Sequence, residues 1–269
     1  MLSSLKKLLR LLRKIMNITR RPYYGFVQGH SHITDSQLHK LDKLVDIQSS
    51  RNSDAFESEF ANYLGVEHAT SFASGRMGFY ALLQSLKVKS GNEVILTGST
   101  CAVMANAVLR VGAKPVYADI SPKTFGTCPL SVEGLITRDT KVIVAQHSFG
   151  IPCDIEKIAK VARERGIFLI EDCALSFDSS LNGTVLGLFG DAALFSFDHT
   201  KPINMMIGGM ICTNSDLDKK LKIIQDQSAE IPVIKRRSLF KQFKREKYFC
   251  NPNNYSQYQV IELLESKFR

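Results

Sequence analysis

The stretch IFLIEDCALSF at residues 167–177 decides the fold, together with GDAALFSFDHTK at 190–201 and IGGM at 207–210. The first segment is an apolar run that ends in Glu171 and Asp172, which is typical of a buried strand with carboxylates at its end. The run from Ala192 to Phe197 predicts a second buried strand that carries Ser196 and is followed by Lys201. An acid at one strand end and a lysine just beyond another indicate a site for a pyridine-aldehyde cofactor.

Short apolar segments alternate with helical segments through most of the remaining chain. The spacing predicts strands at 69–73, 93–96, 115–118, 141–145 and 167–171, and helices at 76–88, 102–111 and 154–165. This alternation predicts an α/β fold with a mostly parallel sheet and helices on both faces. Ligands bind such sheets at the carboxyl ends of the strands. The earlier segment Asp54 to Leu64 has helical periodicity that places Phe56 and Phe60 in the core.

Composition limits the class of protein. A chain of 269 residues that is 44% hydrophobic can bury the core of one large domain. Because no run of about 18 apolar residues exists, we expect no transmembrane helix. The six cysteines are scattered without CxxC pairs, which favours reduced thiols in a cytoplasmic compartment over disulfides or a zinc site. The lone HxH of Gly29 to His32 has no further ligand at metal spacing, so we expect no metal there.

The formal charge of +9 comes from two segments. Residues 1–21 hold seven Lys/Arg and no acid, and Lys235 to Lys247 holds seven Lys/Arg and one acid, so the remainder carries about −4. No aromatic residues alternate with the basic ones to form a nucleic-acid-binding face. The net positive charge therefore comes from two basic segments and does not indicate a nucleic-acid-binding domain.

Residues 1–21 predict a basic amphipathic helix, in which leucines from Leu2 to Leu12 share one face with Ile15 and Met16 and the cations occupy the other. This pattern is typical of a helix that lies on an anionic membrane surface through residues 2–16. Docking on the protein's own body or on a partner is the favoured alternative to membrane binding, and a removable presequence is the least favoured. A secretory signal is disfavoured because charges interrupt the apolar run.

Three candidates for chemistry lie outside the cysteines and histidines, namely the Ser74-Gly75 turn, Asp172 and Lys201. Ser74 and Gly75 fall where a strand turns into a helix, so free backbone N–H groups and the helix dipole could bind a phosphate there, although simple helix caps look the same. Asp172 could pair with a ring nitrogen or merely cap nearby N–H groups, whereas Glu171 points to the opposite face of the strand. Lys201 could form a Schiff base or be one more surface lysine.

Several segments in order resemble the sugar-nucleotide aminotransferases often called the DegT family. The resemblance covers about 160 residues, from FESEFANYLGVEHATSFASGR at 56–76 through GNEVIL at 91–96, ANAVLRVGAKPVYADISPKTF at 105–125, QHSFGIPCDIEKIAKVARERG at 146–166, LIEDCA at 169–174 and FGDAALFSFDHTK at 189–201, and on to Asn214. It implies a pyridoxal 5'-phosphate enzyme of the aspartate-aminotransferase-like fold, which is fold type I.

The resemblance also implies roles for single residues. Lys201 matches the lysine that forms the Schiff base, and Asp172 matches the acid that contacts the pyridine nitrogen. The Ser74-Gly75 turn and Ser196 match the groups that hold the phosphate. The family implies an amino donor such as glutamate, a nucleotide-linked keto-sugar as acceptor, a homodimer whose sites form at the interface, and a role in cell-surface polysaccharide or sugar biosynthesis.

Five positions depart from the family pattern. Leu175 stands where a Gln or His usually contacts the ring oxygen of the cofactor, and Cys101 replaces the aromatic residue that stacks on the ring. Arg76 replaces a small hydroxyl residue and could add a phosphate contact or simply point to solvent. Met206 and Ile207 precede the Gly pair in place of the usual Gly-Glu, so an acid is absent.

The domain prediction follows from these segments. We expect the basic helix at 1–21, a cofactor-binding large domain at 22–222, and at 223–269 only the start or remnant of a small C-terminal domain. The family's C-terminal domain helps to close the substrate pocket. The alternative function is therefore a truncated, catalytically impaired member that binds cofactor or a partner chain without transaminating.

Overall fold

A seven-stranded sheet forms the centre of the structure, a computed structural model that describes residues 33–46, 50–198 and 200–249. The strands are β1 (His68–Phe72), β2 (Glu93–Thr97), β3 (Lys114–Ala118), β4 (Thr140–Gln146), β5 (Phe168–Asp172), β6 (Ser180–Leu181), β7 (Thr184–Val185), β8 (Ala192–Ser196) and β9 (Gly209–Thr213). The order in the sheet is β1-β9-β8-β5-β4-β2-β3, while β6 and β7 pair separately. Strands β8, β5, β4, β2 and β3 are parallel, and β9 is antiparallel to both of its neighbours. The predicted mostly parallel sheet is confirmed.

Helices cover both faces of this sheet. The described helices are α1 (Asp35–Leu44), α2 (Ser50–Leu64), α3 (Gly75–Ser85), α4 (Ala102–Arg110), α5 (Pro129–Leu135), α6 (Ile155–Arg165), α7 (Leu217–Asp226) and α8 (Val233–Phe249), of which α2 to α7 are the ones that belong to the same compact unit as the sheet and cover it. One apolar core joins the sheet to α2, α5 and α6, and the other joins it to α3, α4 and α7. Along β2 the side chain of Ile95 enters the first core while Val94 and Leu96 enter the second, because successive strand residues point to opposite faces.

The ends of the helices differ from the predicted ones by a few residues. The helix predicted to run to residue 88 ends at Ser85, because Lys87 adopts a left-handed backbone with φ of 56°. Gly166, with φ of 63°, ends α6 as the left-handed cap that glycine favours. The predicted core role of Phe60 is confirmed, since its ring packs at 5.1 Å from the ring of Phe195 and is 5% exposed.

The described residues belong to two compact units. One spans Ile47–Pro232, and the described segments 33–46 and 233–249 belong to the other. In the second unit the ion pairs Arg237–Asp46, Lys244–Asp42 and Lys247–Asp35 hold α1 alongside α8 in antiparallel order. The aspartates of residues 33–46 thus partly neutralise the positive charge of residues 233–249. None of the helices in the described part of the chain has the length and apolar content needed to cross a membrane.

Candidate functional site

A cavity of about 530 Å³ lies where the carboxyl ends of β1, β2, β3, β4, β5 and β8 meet, within the usual size range of ligand pockets. The strands point the same way, so the turns that follow them converge on one space. All eight residues singled out from the sequence line this cavity: Ser74, Gly75, Arg76, Cys101, Asp172, Leu175, Ser196 and Lys201. Their convergence is a property of the fold, and their roles remain predictions.

The turn between β1 and α3 offers an anion-binding end of a helix. Ser74 is the N-cap of α3, and its Oγ accepts a hydrogen bond from the N–H of Met77 at 3.3 Å. The backbone N–H of Arg76 has no acceptor among the residues that the structure describes. Helix α3 has 11 residues, so the positive end of its dipole adds to this free donor. The turn can therefore hold a phosphate.

The glycine pair after Lys201 makes this turn possible. The N–H of Gly208 donates to the carbonyl of Ala73 at 3.0 Å, which fastens the start of β9 beside the turn. A Cβ on Gly209 would overlap the backbone N and Cα of Gly75 and would lie 2.6 Å from the carbonyl carbon of Ser74. Close backbone approach thus requires glycine at position 209.

Ser196 lies beside the same turn. A Cβ added to Gly75 would lie 3.2 Å from the Cβ of Ser196, so the end of β8 and the turn are in contact. Two groups that the sequence separates by about 120 residues therefore share one corner of the cavity. Ser196 therefore lies next to the first residue of α3, where the phosphate site is predicted.

Asp172 ends β5 and is 6% exposed. Its Oδ1 accepts a hydrogen bond from the N–H of Ala174 at 3.1 Å. Burial raises the pKa of Asp172 above its ordinary value, and this effect exceeds the opposing effects of the Ala174 N–H and the charge of Lys201. A further cationic donor inside the cavity would stabilise its carboxylate.

Lys201 lies in the loop after β8 and is half-buried. Its backbone N–H donates to the carbonyl of Asp198 at 2.9 Å. The side-chain amine has no hydrogen bond or ion pair with any other residue in the described ranges, and Lys201 is the one lysine among the residues that line the cavity. The amine is thus available to react with a bound carbonyl compound.

Glu171 points away from the cavity, as the alternation of the strand predicts. It is fully buried and accepts hydrogen bonds from the N–H groups of Gly187 at 2.9 Å, Phe189 at 2.7 Å and Gly190 at 2.7 Å. Its Oε2 also lies 3.2 Å from Nε2 of His147. This one carboxylate accepts hydrogen bonds from three buried N–H groups of the loop after β7. Its role is therefore to anchor that loop to β5.

His147 was not singled out from the sequence, although it lies within the QHSFG segment. Its Nδ1 accepts a hydrogen bond from the N–H of Cys153 at 3.2 Å, so the ring carries its proton on Nε2 and donates it to Glu171. Atoms of His147, Glu171 and Cys173 lie within 4.8 Å of one another, as metal ligands would. The His147 ring and the Glu171 carboxylate already have hydrogen-bond partners, and burial raises the pKa of the Cys173 thiol. We therefore interpret this cluster as a structural network.

Glu171→Gln is expected to lower the free energy of unfolding by about 2–4 kcal/mol, because an amide nitrogen in place of one oxygen leaves buried N–H groups without an acceptor. Denaturant unfolding of the two proteins measures this loss. The matched control is Glu133→Gln, since Glu133 is exposed on α5. A loss for Glu171→Gln no larger than that of the control would contradict the anchoring role.

Three of the positions that depart from the family pattern line this cavity, namely Arg76, Cys101 and Leu175, whereas Met206 and Ile207 are not among its lining residues. Leu175 is half-buried and presents an apolar side chain to the cavity, and Cys101 is exposed at the start of α4. Met206 is 6% exposed and has a left-handed backbone with φ of 67°. The HxH segment and the basic helix predicted for residues 1–21 lie outside the described residues.

Comparison with known proteins gives one consistent result. The profile of the DegT/DnrJ/EryC1/StrS aminotransferase family matches residues 33–241. GDP-perosamine synthase of Vibrio cholerae is 37% identical over 172 residues, which cover 63% of this chain and 47% of that protein. UDP-N-acetyl-3-dehydro-alpha-D-glucosamine 3-aminotransferase of Acidithiobacillus ferrooxidans is 33% identical over 202 residues, which cover 73% of this chain and 55% of that protein.

A solved structure agrees with these sequence matches. The aminotransferase from Psychrobacter cryohalolentis aligns with a TM-score of 0.69 and 25% identity, covering 79% of this chain and 62% of that one. The predicted fold type is confirmed by this likeness. The chain spans about half the length of the curated relatives that it matches.

Proposed function

The chain belongs to the DegT/DnrJ/EryC1/StrS aminotransferase family, and we propose that its cavity binds pyridoxal 5'-phosphate and serves amino transfer to a nucleotide-linked keto-sugar. The observation that carries the proposal is the convergence of the Ser74-Gly75 turn, Asp172, Ser196 and Lys201 on one cavity. An anion site, a buried carboxylate and a free amine are the groups that such a cofactor needs at its phosphate, its ring nitrogen and its aldehyde.

The hydrogen-bonding groups that line the cavity match the groups of the cofactor. The free N–H of Arg76 and the hydroxyl of Ser196 can donate to phosphate oxygens at the end of α3. Asp172 uses one hydrogen bond from Ala174, and no donor to its Oδ2 is found among the described residues. A protonated ring nitrogen would supply the missing donor and offset the burial that raises the pKa of this carboxyl group.

The chain's own groups then have separate tasks in the reaction. When bound, the cofactor supplies an electron-withdrawing ring that stabilises negative charge on the reacting carbon. Asp172 holds the proton on the ring nitrogen. The Nζ of Lys201 removes the proton from the reacting carbon of the amino donor and returns a proton during the second half of the exchange.

Substrates are proposed from the relatives. The names of two relatives include a GDP-linked and a UDP-linked compound. These names favour a nucleotide-linked keto-sugar as the amino acceptor of this chain. They also favour a role in cell-surface polysaccharide or sugar biosynthesis. Glutamate is the proposed amino donor. The test is to load the full chain with pyridoxal phosphate, add glutamate and measure 2-oxoglutarate in an amount equal to the bound cofactor. Cofactor binding without any 2-oxoglutarate would rule out glutamate as the donor.

A second candidate function is favoured by Leu175. Its side chain lines the cavity and cannot donate a hydrogen bond to the ring oxygen of a cofactor. A chain with this change could bind cofactor or a partner chain without transaminating. Turnover with glutamate and a nucleotide-linked keto-sugar would exclude this candidate, whereas binding of cofactor without exchange with any tested amino acid would support it.

The remaining proposals concern assembly and location. A homodimer is proposed because the family builds its sites at a subunit interface, and sedimentation of the full chain tests it. The five described cysteines, Cys101, Cys128, Cys153, Cys173 and Cys212, are all unpaired, in keeping with a proposed cytoplasmic location. Peripheral binding to anionic membranes through residues 2–16 is tested by whether their deletion releases the protein from anionic liposomes.

A further inference from the structure

Two phenylalanines on the rim of the cavity are exposed. Phe149 is 77% exposed and Phe125 is 48% exposed, and they are the two phenylalanines among the exposed large apolar side chains of the described residues. Both line the cavity, Phe125 from the loop after β3 and Phe149 from the turn after β4. Their ring centroids are 6.4 Å apart with an angle of 79° between the planes, so the rings meet edge to face.

Both residues also have a strained backbone. The φ angles of Phe125 and Phe149 are 56° and 57°, in the left-handed region that bulky side chains rarely adopt. Strain of this kind persists where the surrounding structure enforces it, and it concentrates at ligand-binding sites. Glycine would fit this backbone without strain, so the aromatic side chains are not explained by the turns themselves.

The loop that carries Phe125 is held firmly. The N–H of Phe125 donates to the carbonyl of Ser121 at 2.8 Å, and the N–H of Ser121 donates to the carbonyl of Gly126 at 2.8 Å. A Cβ on Gly126 would lie 2.6 Å from the carbonyl oxygen of Gln146, so the loop is seated directly on the end of β4. The ring of Phe125 is therefore presented from a fixed base beside Phe149.

From these observations we infer that Phe125 and Phe149 form an aromatic platform that stacks the nucleobase of the nucleotide-linked substrate. This inference rests on the proposed function. The carbon that receives the amino group must reach Lys201 inside the cavity, so the nucleotide end of the substrate extends outward to the rim. There the edge-to-face contact orients the two rings while the highly exposed ring of Phe149 keeps a face open for a planar base.

The absence of tryptophan from the sequence allows a direct measurement. Phe149→Trp places a single fluorescent indole on the rim of the cofactor-loaded chain. Titration with GDP or with UDP is expected to quench this fluorescence to saturation, because the base stacks on the indole. Inorganic diphosphate at the same concentrations is expected to leave the fluorescence unchanged, because it has no base.

Glycine variants separate binding from stability. Phe149→Gly and Phe125→Gly are each expected to weaken binding of GDP and UDP about tenfold by calorimetry, the lower part of the range for loss of one base–aromatic stack. Their Tm is expected to stay equal or rise, because glycine relieves the left-handed strain. Asn182→Gly is the matched control, since Asn182 has φ of 51° in the turn between β6 and β7 and does not line the cavity. It is expected to leave binding unchanged.

The results distinguish this inference from the proposed function. A cofactor absorption band in the wild type, combined with unchanged affinity for both nucleotides in the glycine variants, would overturn the platform and leave the function standing. Failure of the loaded wild type to bind GDP or UDP would overturn the platform as well. Absence of the cofactor band would instead contradict the proposed function.

Discussion

Lys201→Ala is expected to abolish the visible absorption band that pyridoxal phosphate acquires on the wild-type protein. Lys201 is the one lysine among the described residues that line the cavity, so none of these residues offers a second amine to take its place. Amino transfer is expected to fall by about a thousandfold, since the same amine is the proposed acid–base group. An absorption spectrum of each protein with added cofactor measures the first effect, and a glutamate half-reaction measures the second.

Two further variants separate reactivity from charge. Lys201→Arg keeps a cation close to Asp172 but lacks an amine that can form a Schiff base, so the band is expected to disappear here too. Lys123→Ala is the control, because Lys123 is exposed in the loop after β3 and does not line the cavity, and it is expected to leave the band unchanged. A wild-type band in Lys201→Ala would refute the assignment of this lysine.

Gly209→Ala is expected to lower the free energy of unfolding by about 3 kcal/mol, at the upper end of the range for overpacked sites. The added methyl group would collide with the backbone of Gly75 and Ser74, which cannot move aside as the end of a flexible side chain can. Because the displaced turn is the proposed phosphate site, cofactor affinity is expected to fall at least about tenfold, which equals the loss of one charge-assisted hydrogen bond.

Gly134→Ala is the matched control for this change. Gly134 lies in α5, where an added Cβ meets nothing within 4 Å. Alanine is expected to stabilise this helix by up to about 1 kcal/mol and to leave cofactor affinity unchanged. Denaturant unfolding and cofactor titration measure both variants. Wild-type affinity in Gly209→Ala would show that the approach of β9 to the turn does not maintain the phosphate site.

Much of the architecture could be predicted because it depends on local pattern. Alternating apolar strands and amphipathic helices identified the parallel sheet, and the residue at the end of β5 could be placed on the cavity side because strand side chains alternate. The helix ends were less predictable. Helix α3 ends before Lys87 because that residue has a left-handed backbone, which cannot be predicted for a lysine from its residue type.

Other features depended on contacts between distant segments. The buried network of Glu171 and His147 joins the strand β5 to the loop after β7, and neither residue type nor spacing predicts those partners. The same holds for Phe125 and Phe149, which are 24 residues apart in the sequence and meet only because β3 and β4 end at the same edge of the sheet. Their exposure contradicts the usual expectation that phenylalanine is buried.

By itself the sequence determined the strands, the helices and the residue types available for chemistry, including the acid at 172 and the lysine at 201. Only the tertiary structure decided that these groups share one cavity with the Ser74-Gly75 turn, because that requires six strand ends on one edge of the sheet. The tertiary structure also explains why Gly208 and Gly209 follow Lys201. Gly209 is needed because two backbones approach more closely than any side chain allows, and such an approach is a property of the folded chain.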